Sequence, residues 1–214
     1  MQIDIVSDVV CPWCFVGKRR LGEALAQWRS ERPGEPVTVR WLPYFLNPDT
    51  PVEGEPYRPF LERKFGGPEA LEAIWARVRE AGASAGIAFA FERIEKRANT
   101  LAAHRLIHRF QAEAVGDTQA LVEALFAAQF LEGRHVGDPS VLAGIAAACG
   151  DDEAAAMTFL ASDRYAREVT TVAERVQAMG VSGVPFFIFD GKLAVSGAQP
   201  PAVLLGAMAQ AASS

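Results

Sequence analysis

The sequence predicts an α/β fold: a small mixed sheet with helices on both faces, interrupted by a large all-helical insertion. Three observations carry this prediction. Residues 1–48 read as strand, helix, strand; residues 49–161 carry helical spacing almost throughout; and residues 162–214 read as helix, strand, strand, helix. The expected division is therefore a sheet-bearing domain formed by 1–48 together with 162–214, holding 49–161 as a helical insertion domain.

The opening strand rests on Ile3, Ile5 and the apolar Val9 and Val10, a short run of β-forming residues. Cys11-Pro12-Trp13-Cys14 follows, and then a helix to about Arg29 with Leu21, Leu25 and Trp28 on one face. Pro12 suits the first turn of that helix, where a missing N–H costs nothing. Pro36 to Leu46 reads as the second strand, so the order implies a parallel, right-handed βαβ unit. From Asn47 to about Gly54 the composition turns to Pro, Asp, Thr and Gly, marking a boundary. Helices are then expected near 57–66, 69–85, 100–115, 118–131, 139–149 and 151–161, with Asp117 and Asp138 as starts and Gly116 and Gly150 as stops. A helix over about 163–179 ends at Gly180. Val184 to Phe189 is strand-like, Asp190-Gly191 is a hairpin turn, and Lys192 to Ser196 returns. Gln199 to Ala212 closes the chain as a helix.

With 214 residues, half of them hydrophobic, the chain can bury one sizeable core. A net charge of −5 and the absence of long like-charge runs argue against a nucleic-acid or membrane-surface binder. No apolar stretch reaches the ~18 residues of a spanning helix, and Met1 to Asp8 does not read as a secretory signal, so a cytoplasmic location is expected.

Three cysteines do not make a disulfide framework, and a C-x-x-C pair in a reducing compartment points to redox chemistry or metal ligation. A zinc site needs about four ligands. Beyond Cys11 and Cys14 only Cys149, His104, His108 and His135 remain, in no second cluster, and no Glu completes a metal motif with the i, i+4 pair His104 and His108. Redox chemistry is therefore the leading reading, and no metal is expected. A cysteine attacks as its thiolate. Cys11 is placed at a helix N-terminus, among unpaired N–H groups and the positive end of the helix dipole, a setting that favours the thiolate. Cys14, one turn on and facing inward, can close a disulfide with it. Cys11 thus attacks and Cys14 resolves. The turn-rich lead Gly180 to Val184, opening onto a hydrophobic strand at Pro185, favours a cis Val184–Pro185 bond although only about 5–6% of X–Pro bonds are cis. Cys149 reads as a small buried hydrophobe. Asp8 is a proton acceptor for Cys14, a cap of the helix approach or a solvated carboxylate. Trp41, Tyr44, Phe45, Phe60, Phe65, Trp75, Phe89 and Phe91 are assigned to packing between the lobes, some of them flooring a hydrophobic groove.

The segment Ser7 to Lys18, with its Cys11-Pro12-Trp13-Cys14 core, resembles the active site of DsbA-family proteins, in particular the FrnE-like subgroup. So do Leu46-Asn47-Pro48, Asn99-Thr100 with Ala103-His104-Arg105, Gly183 to Phe187, and Val195 to Gln199. The resemblance implies a thioredoxin-like fold with a helical insertion over the active site, a cis Pro185, and Cys11 and Cys14 as the redox centre. It implies a cleft between lobes lined by Pro12, Trp13, Asn47, Asn99, Thr100, His104 and Val184, although Asn99 and Thr100 read equally well as helix caps and His104 as a solvated or core histidine. The same resemblance reaches 2-hydroxychromene-2-carboxylate isomerases and kappa-class glutathione transferases, which carry serine where this chain has Cys11. Two cysteines favour a disulfide reductase or isomerase; a glutathione-dependent isomerase or transferase is the alternative, and a redox-inert peptide-binding module a third. No cofactor beyond the redox disulfide is implied, with glutathione a candidate co-substrate and disulfide-bearing proteins or small molecules the expected partners. A homodimer is admitted by analogy with the relatives, although no residue of the chain argues for it.

Overall fold

In the computed structural model, which describes residues 1–213, the chain runs β1 (Gln2–Ser7), α1 (Pro12–Glu31), β2 (Thr38–Pro43), β3 (Glu55–Pro56), α2 (Tyr57–Phe65), α3 (Pro68–Ala83), β4 (Lys96–Arg97), α4 (Leu101–Glu113), α5 (Thr118–Ala127), α6 (Pro139–Ala148), α7 (Glu153–Leu160), α8 (Ala166–Ala178), β5 (Phe186–Phe189), β6 (Leu193–Ser196) and α9 (Pro201–Ala212). The main sheet has the order β2-β1-β5-β6. β1 and β2 are parallel, with Ile5 opposite Trp41, while β5 runs antiparallel to β1 and β6, with Phe187 opposite Ile5. This is the thioredoxin-like arrangement with a helical insertion between β2 and α8.

Strand alternation decides what each face meets. Ile3, Ile5, Phe187 and Phe189 are buried with Leu21, Trp28, Leu204 and Met208 beneath α1 and α9. Val6 faces the other way, joining Val176 and Val181, with Phe186 and Ile188 packed against them under α8. At the β5–β6 turn Asp190 and Gly191 take φ of 49° and 67°, the left-handed pair that a two-residue hairpin requires.

The insertion continues the same core. Phe15 of α1 stacks on Phe126 of α5 at 5.1 Å and meets Phe89 edge-on at 6.1 Å. Lys18 and Arg19 of α1 both pair with Glu123 of α5, at 2.6 and 2.5 Å. Asp117, Asp138 and Asp152 cap α5, α6 and α7 by accepting backbone N–H groups through their carboxylates, two of these caps at the helix starts expected from sequence.

Several boundaries differ from expectation, each for a local reason. Val9 and Val10 leave β1, because Cys11 N–H bonds back to the Asp8 carbonyl at 3.0 Å and closes a turn. β2 spans only Thr38–Pro43, because its partner β1 ends at Ser7, whose carbonyl takes the Tyr44 N–H at 3.0 Å as the pairing closes. The insertion also contains a two-residue ladder, Glu55–Pro56 against Lys96–Arg97, where a purely helical unit was expected. The helix expected over 118–131 ends at Ala127 and passes into a widened π-type turn, Ala128–Glu132. Among the described residues, no helix is long and apolar enough to cross a membrane.

Candidate active site

Cys11 is the N-cap of α1, extended at φ −97° and ψ 110°, with Pro12 supplying the first helical residue. No acidic side chain stands in the first turn to oppose a negative charge there. The Cys11 thiol donates to the Val184 carbonyl at 3.7 Å, across the cis Val184–Pro185 bond of the loop that enters β5. Gly17 stands six residues after Cys11 on α1, and the fold uses it: a Cβ at that position would lie 2.9 Å from Pro185 Cγ and 3.1 Å from Phe187 Cζ. Glycine therefore lets α1 seat directly against the proline.

Cys14 lies on the inward side of α1, 2% exposed. Both thiols are unbonded. Burial pushes the Cys14 thiol well above its ordinary range, and the neighbouring Cys11 pushes it further, while hydrogen bonds from Ser7 and the Asp8 backbone act in the opposite direction. Cys14 is thus held as the neutral thiol, and the inward position expected for it is the observed one.

Beneath the pair, Asp8 is 1% exposed. One carboxylate oxygen accepts the Leu46 N–H at 2.9 Å and the other lies 3.3 Å from His104 Nε2. Asp8 therefore ties the chain after β2 to α4 under the active site. It does not cap α1, whose N-cap is Cys11.

Cys11 opens onto a cavity of about 360 Å³. Val10, Pro12 and Trp13 form one lip, Gly183 and Val184 the opposite one, and Leu46 and Asn47 a third side. The insertion supplies the far wall: Tyr57, Leu61 and Phe65 from α2, Ile74, Trp75 and Val78 from α3. Tyr57 and Trp75 are stacked 6.3 Å apart, and Trp75 continues onto Phe91 at 5.2 Å. Burial and the proximity of Cys11 push the Tyr57 hydroxyl upward, keeping it a neutral donor. At the rim Lys64 donates to the Asn47 side-chain oxygen at 3.2 Å. Arg97, also on the wall, pairs with Glu55 at 2.5 Å and lies 3.6 Å over the Phe60 ring.

Of the residues expected in the cleft, Pro12, Trp13, Asn47 and Val184 are there with Cys11; Asn99, Thr100 and His104 are not among its lining residues. Asn99 instead binds backbone on both sides of its amide, donating to Thr50 O at 2.8 Å and accepting from Leu101 N at 3.1 Å, which fixes the start of α4. Thr100 is buried as the N-cap of α4, its carbonyl accepting from His104 N at 3.0 Å. His104, one turn into α4, is buried against Asp8 and edge-on to Phe45 at 5.3 Å. His108 points elsewhere, onto the Tyr165 ring at 4.6 Å. Cys149 is only half-buried at the end of α6, with its thiol pushed upward by that burial and by Asp117.

Sequence reasoning missed Gln129, Tyr57 and Arg97 in the cleft wall. For Gln129 a signal existed: it stands four and eight residues after Leu125 and Leu121, a lone amide on an apolar helical face.

The geometry has counterparts among solved structures. A probable DsbA oxidoreductase from Streptomyces coelicolor is 32% identical with a TM-score of 0.88, covering 100% of this chain and 90% of that one. A 2-hydroxychromene-2-carboxylate isomerase shares the fold at a TM-score of 0.71 and 20% identity, over 98% of this chain and 95% of that one. DsbM, a cytosolic disulfide reductase from Pseudomonas aeruginosa determined with GSH, shares it at 0.64 and 16% identity, over 100% and 96%. Residues 2–209 match the DSBA-like thioredoxin domain. The chain, with its C-x-x-C pair at the head of α1, belongs to the DSBA-like thioredoxin family of oxidoreductases.

Proposed function

We propose that this protein exchanges disulfides as a reductase or isomerase, with Cys11 as nucleophile and Cys14 as resolving thiol. The observation that carries this reading is the asymmetry of the pair. Cys11, itself only 4% exposed, stands at a helix N-terminus and lines the cleft, whereas Cys14 is outside that lining and is held protonated. The Cys11 thiolate attacks one sulfur of the substrate disulfide, forming a mixed disulfide and releasing the other sulfur as a thiolate. Cys14 then gives up its proton and attacks Cys11 Sγ, releasing the second substrate thiolate and leaving Cys11–Cys14 oxidised by two electrons. A low-molecular-mass thiol returns the pair to the dithiol, and glutathione is the thiol proposed, as DsbM was determined with GSH. The exposed Trp13 and the Gly183–Val184 edge offer the substrate chain its contacts beside the sulfur. Pro12-Trp13 places no histidine between the cysteines, which suits a less oxidising couple. That couple rests as the dithiol in a reducing compartment, the cytoplasm in this reading.

Trapping tests this directly. Incubating Cys14→Ala with a disulfide-bonded peptide is expected to accumulate a Cys11–peptide adduct by mass, whereas the parent protein releases reduced peptide. Turnover of a glutathione-dependent isomerisation that survives Cys14→Ala, with no adduct, would instead support the isomerase alternative.

A further inference from the structure

The wall of the cleft contains polar atoms that its own packing leaves unused. Gln129 is 1% exposed and lines the cavity, yet neither its Oε1 nor its Nε2 has a hydrogen-bond partner among the described residues. Arg97, on the same wall, has its Nε likewise unpaired, although its terminal nitrogen holds Glu55. A buried amide left without partners is destabilising, and an apolar side chain of the same size would remove that cost. Gln129 also belongs to the widened turn Ala128–Glu132, a distortion that recurs at functional sites. Tyr57 and Trp75 offer flat aromatic surface, Ile74 and Val78 aliphatic surface, and the charge of Arg97 is balanced by Glu55.

We infer that this end of the cleft is a side-chain subsite for an aromatic residue ending in a hydroxyl, and that Gln129 selects tyrosine over phenylalanine beside the substrate's reactive cysteine. The inference rests on the disulfide-exchange reading above and names its substrate class. The match is one of inventory. A phenolic hydroxyl has one proton to give and lone pairs to receive; Gln129 Oε1 accepts the proton, and Gln129 Nε2 or Arg97 Nε donates to the oxygen. The ring lies among the aromatic and aliphatic walls, where offset stacking favours it. At Gln129 a carboxylate fits less well, because the amide is neutral and Arg97 is already paired with Glu55, while the Lys64 ammonium of the same cavity stands at the rim on Asn47.

The test uses the reduced full-length protein and two cystine-linked peptides, tyrosine-cysteine-tyrosine and phenylalanine-cysteine-phenylalanine, so that no substrate register is assumed. Second-order reduction rates are expected to favour the tyrosyl peptide about five- to tenfold, the worth of one or two net hydrogen bonds. In Gln129→Leu the ratio is expected to fall to near one, while the melting temperature stays level or rises because a buried unpaired amide has gone. Equal rates in the parent protein overturn the inference without any variant, as does a tyrosyl preference that persists in Gln129→Leu. A fall in melting temperature would likewise contradict it, showing the amide to be structural. Hydroxyethyl disulfide separates the two layers: if the parent protein reduces neither it nor the peptides, the exchange reading itself fails and takes the subsite with it. Reduction of hydroxyethyl disulfide with no peptide preference removes the subsite alone.

Discussion

The Cys11 thiol and the Val184 carbonyl meet at 3.7 Å although 173 residues separate them in the chain. This contact joins the two pieces of the sheet domain at the point where the proposed chemistry occurs. Cys11→Ser retains a donor for the Val184 carbonyl, so its unfolding free energy is expected to stay within about 1 kcal/mol of the parent. Disulfide reduction by this variant is expected to fall to the uncatalysed rate. Urea unfolding alongside a reductase assay checks both; residual catalysis would show that Cys11 is not the nucleophile.

Gly17→Ala sets two effects against each other. Within a helix, alanine is favoured over glycine by about 1 kcal/mol. Here the new methyl would meet Pro185 Cγ at 2.9 Å and Phe187 Cζ at 3.1 Å, and overpacking costs about 1–3 kcal/mol. Both neighbours are held by β5 and its approach, so the clash is expected to win. A net loss of stability is predicted, together with slower exchange as Pro185 is pushed from Cys11. A variant melting above the parent would show that α1 and Pro185 are not in this close contact.

Much of this arrangement is legible in the sequence, and the limits have physical causes. Cys11-Pro12-Trp13-Cys14 announces itself because cysteine, helix N-terminus and N1 proline coincide locally, and Asp190-Gly191 because a tight turn demands those residues. The strand before α1 and the strand pair near the end are equally local. The sequence admits Asn99 and Thr100 equally as cleft residues or helix caps, and His104 as a cleft, solvated or core histidine; in the structure Asn99 and Thr100 serve the start of α4 and His104 packs on Asp8. Helical spacing tells which face of α4 is buried, not which element it meets. Likewise Trp75 is recognisably apolar-face, but only the placement of α3 over α1 turns it toward Cys11. The widened turn at Ala128–Glu132 is invisible to a pattern built on regular helix, so Gln129 could be noticed as anomalous without being placed.

Asp8 supports the cleft from below. Asp8→Ala removes the acceptor for Leu46 N–H and the partner of His104, leaving a backbone donor unpaired at a cost of about 1–3 kcal/mol. Asp8→Asn, which retains an acceptor oxygen, is expected to lose less. Denaturant midpoints of the two variants give the comparison, and equal values would show that the Leu46 bond contributes nothing.

The raised Cys14 thiol makes stability depend on pH in the alkaline range. The folded protein holds this proton beyond the point, near 9.0, at which an unfolded cysteine releases it. Its contribution is therefore fully present below pH 9 and is lost as pH rises from there through the folded value. The reduced protein is expected to lose melting temperature above pH 9, and Cys14→Ala to lose less over the same range. The resolving step, which needs the Cys14 thiolate, is expected to accelerate with pH through neutrality. A melting temperature with the same alkaline slope in both proteins would contradict the assignment.

The reduction potential of the Cys11–Cys14 couple decides whether the pair is a working redox centre. The protein would be equilibrated in glutathione buffers of set ratio, quenched by alkylation and counted by mass. A reversible two-electron couple is expected, well below the strongly oxidising value of about −120 mV and in the range of about −180 to −270 mV occupied by isomerases and thioredoxin. Failure to form an intramolecular disulfide at any ratio, with Cys11 carrying glutathione instead, would contradict it.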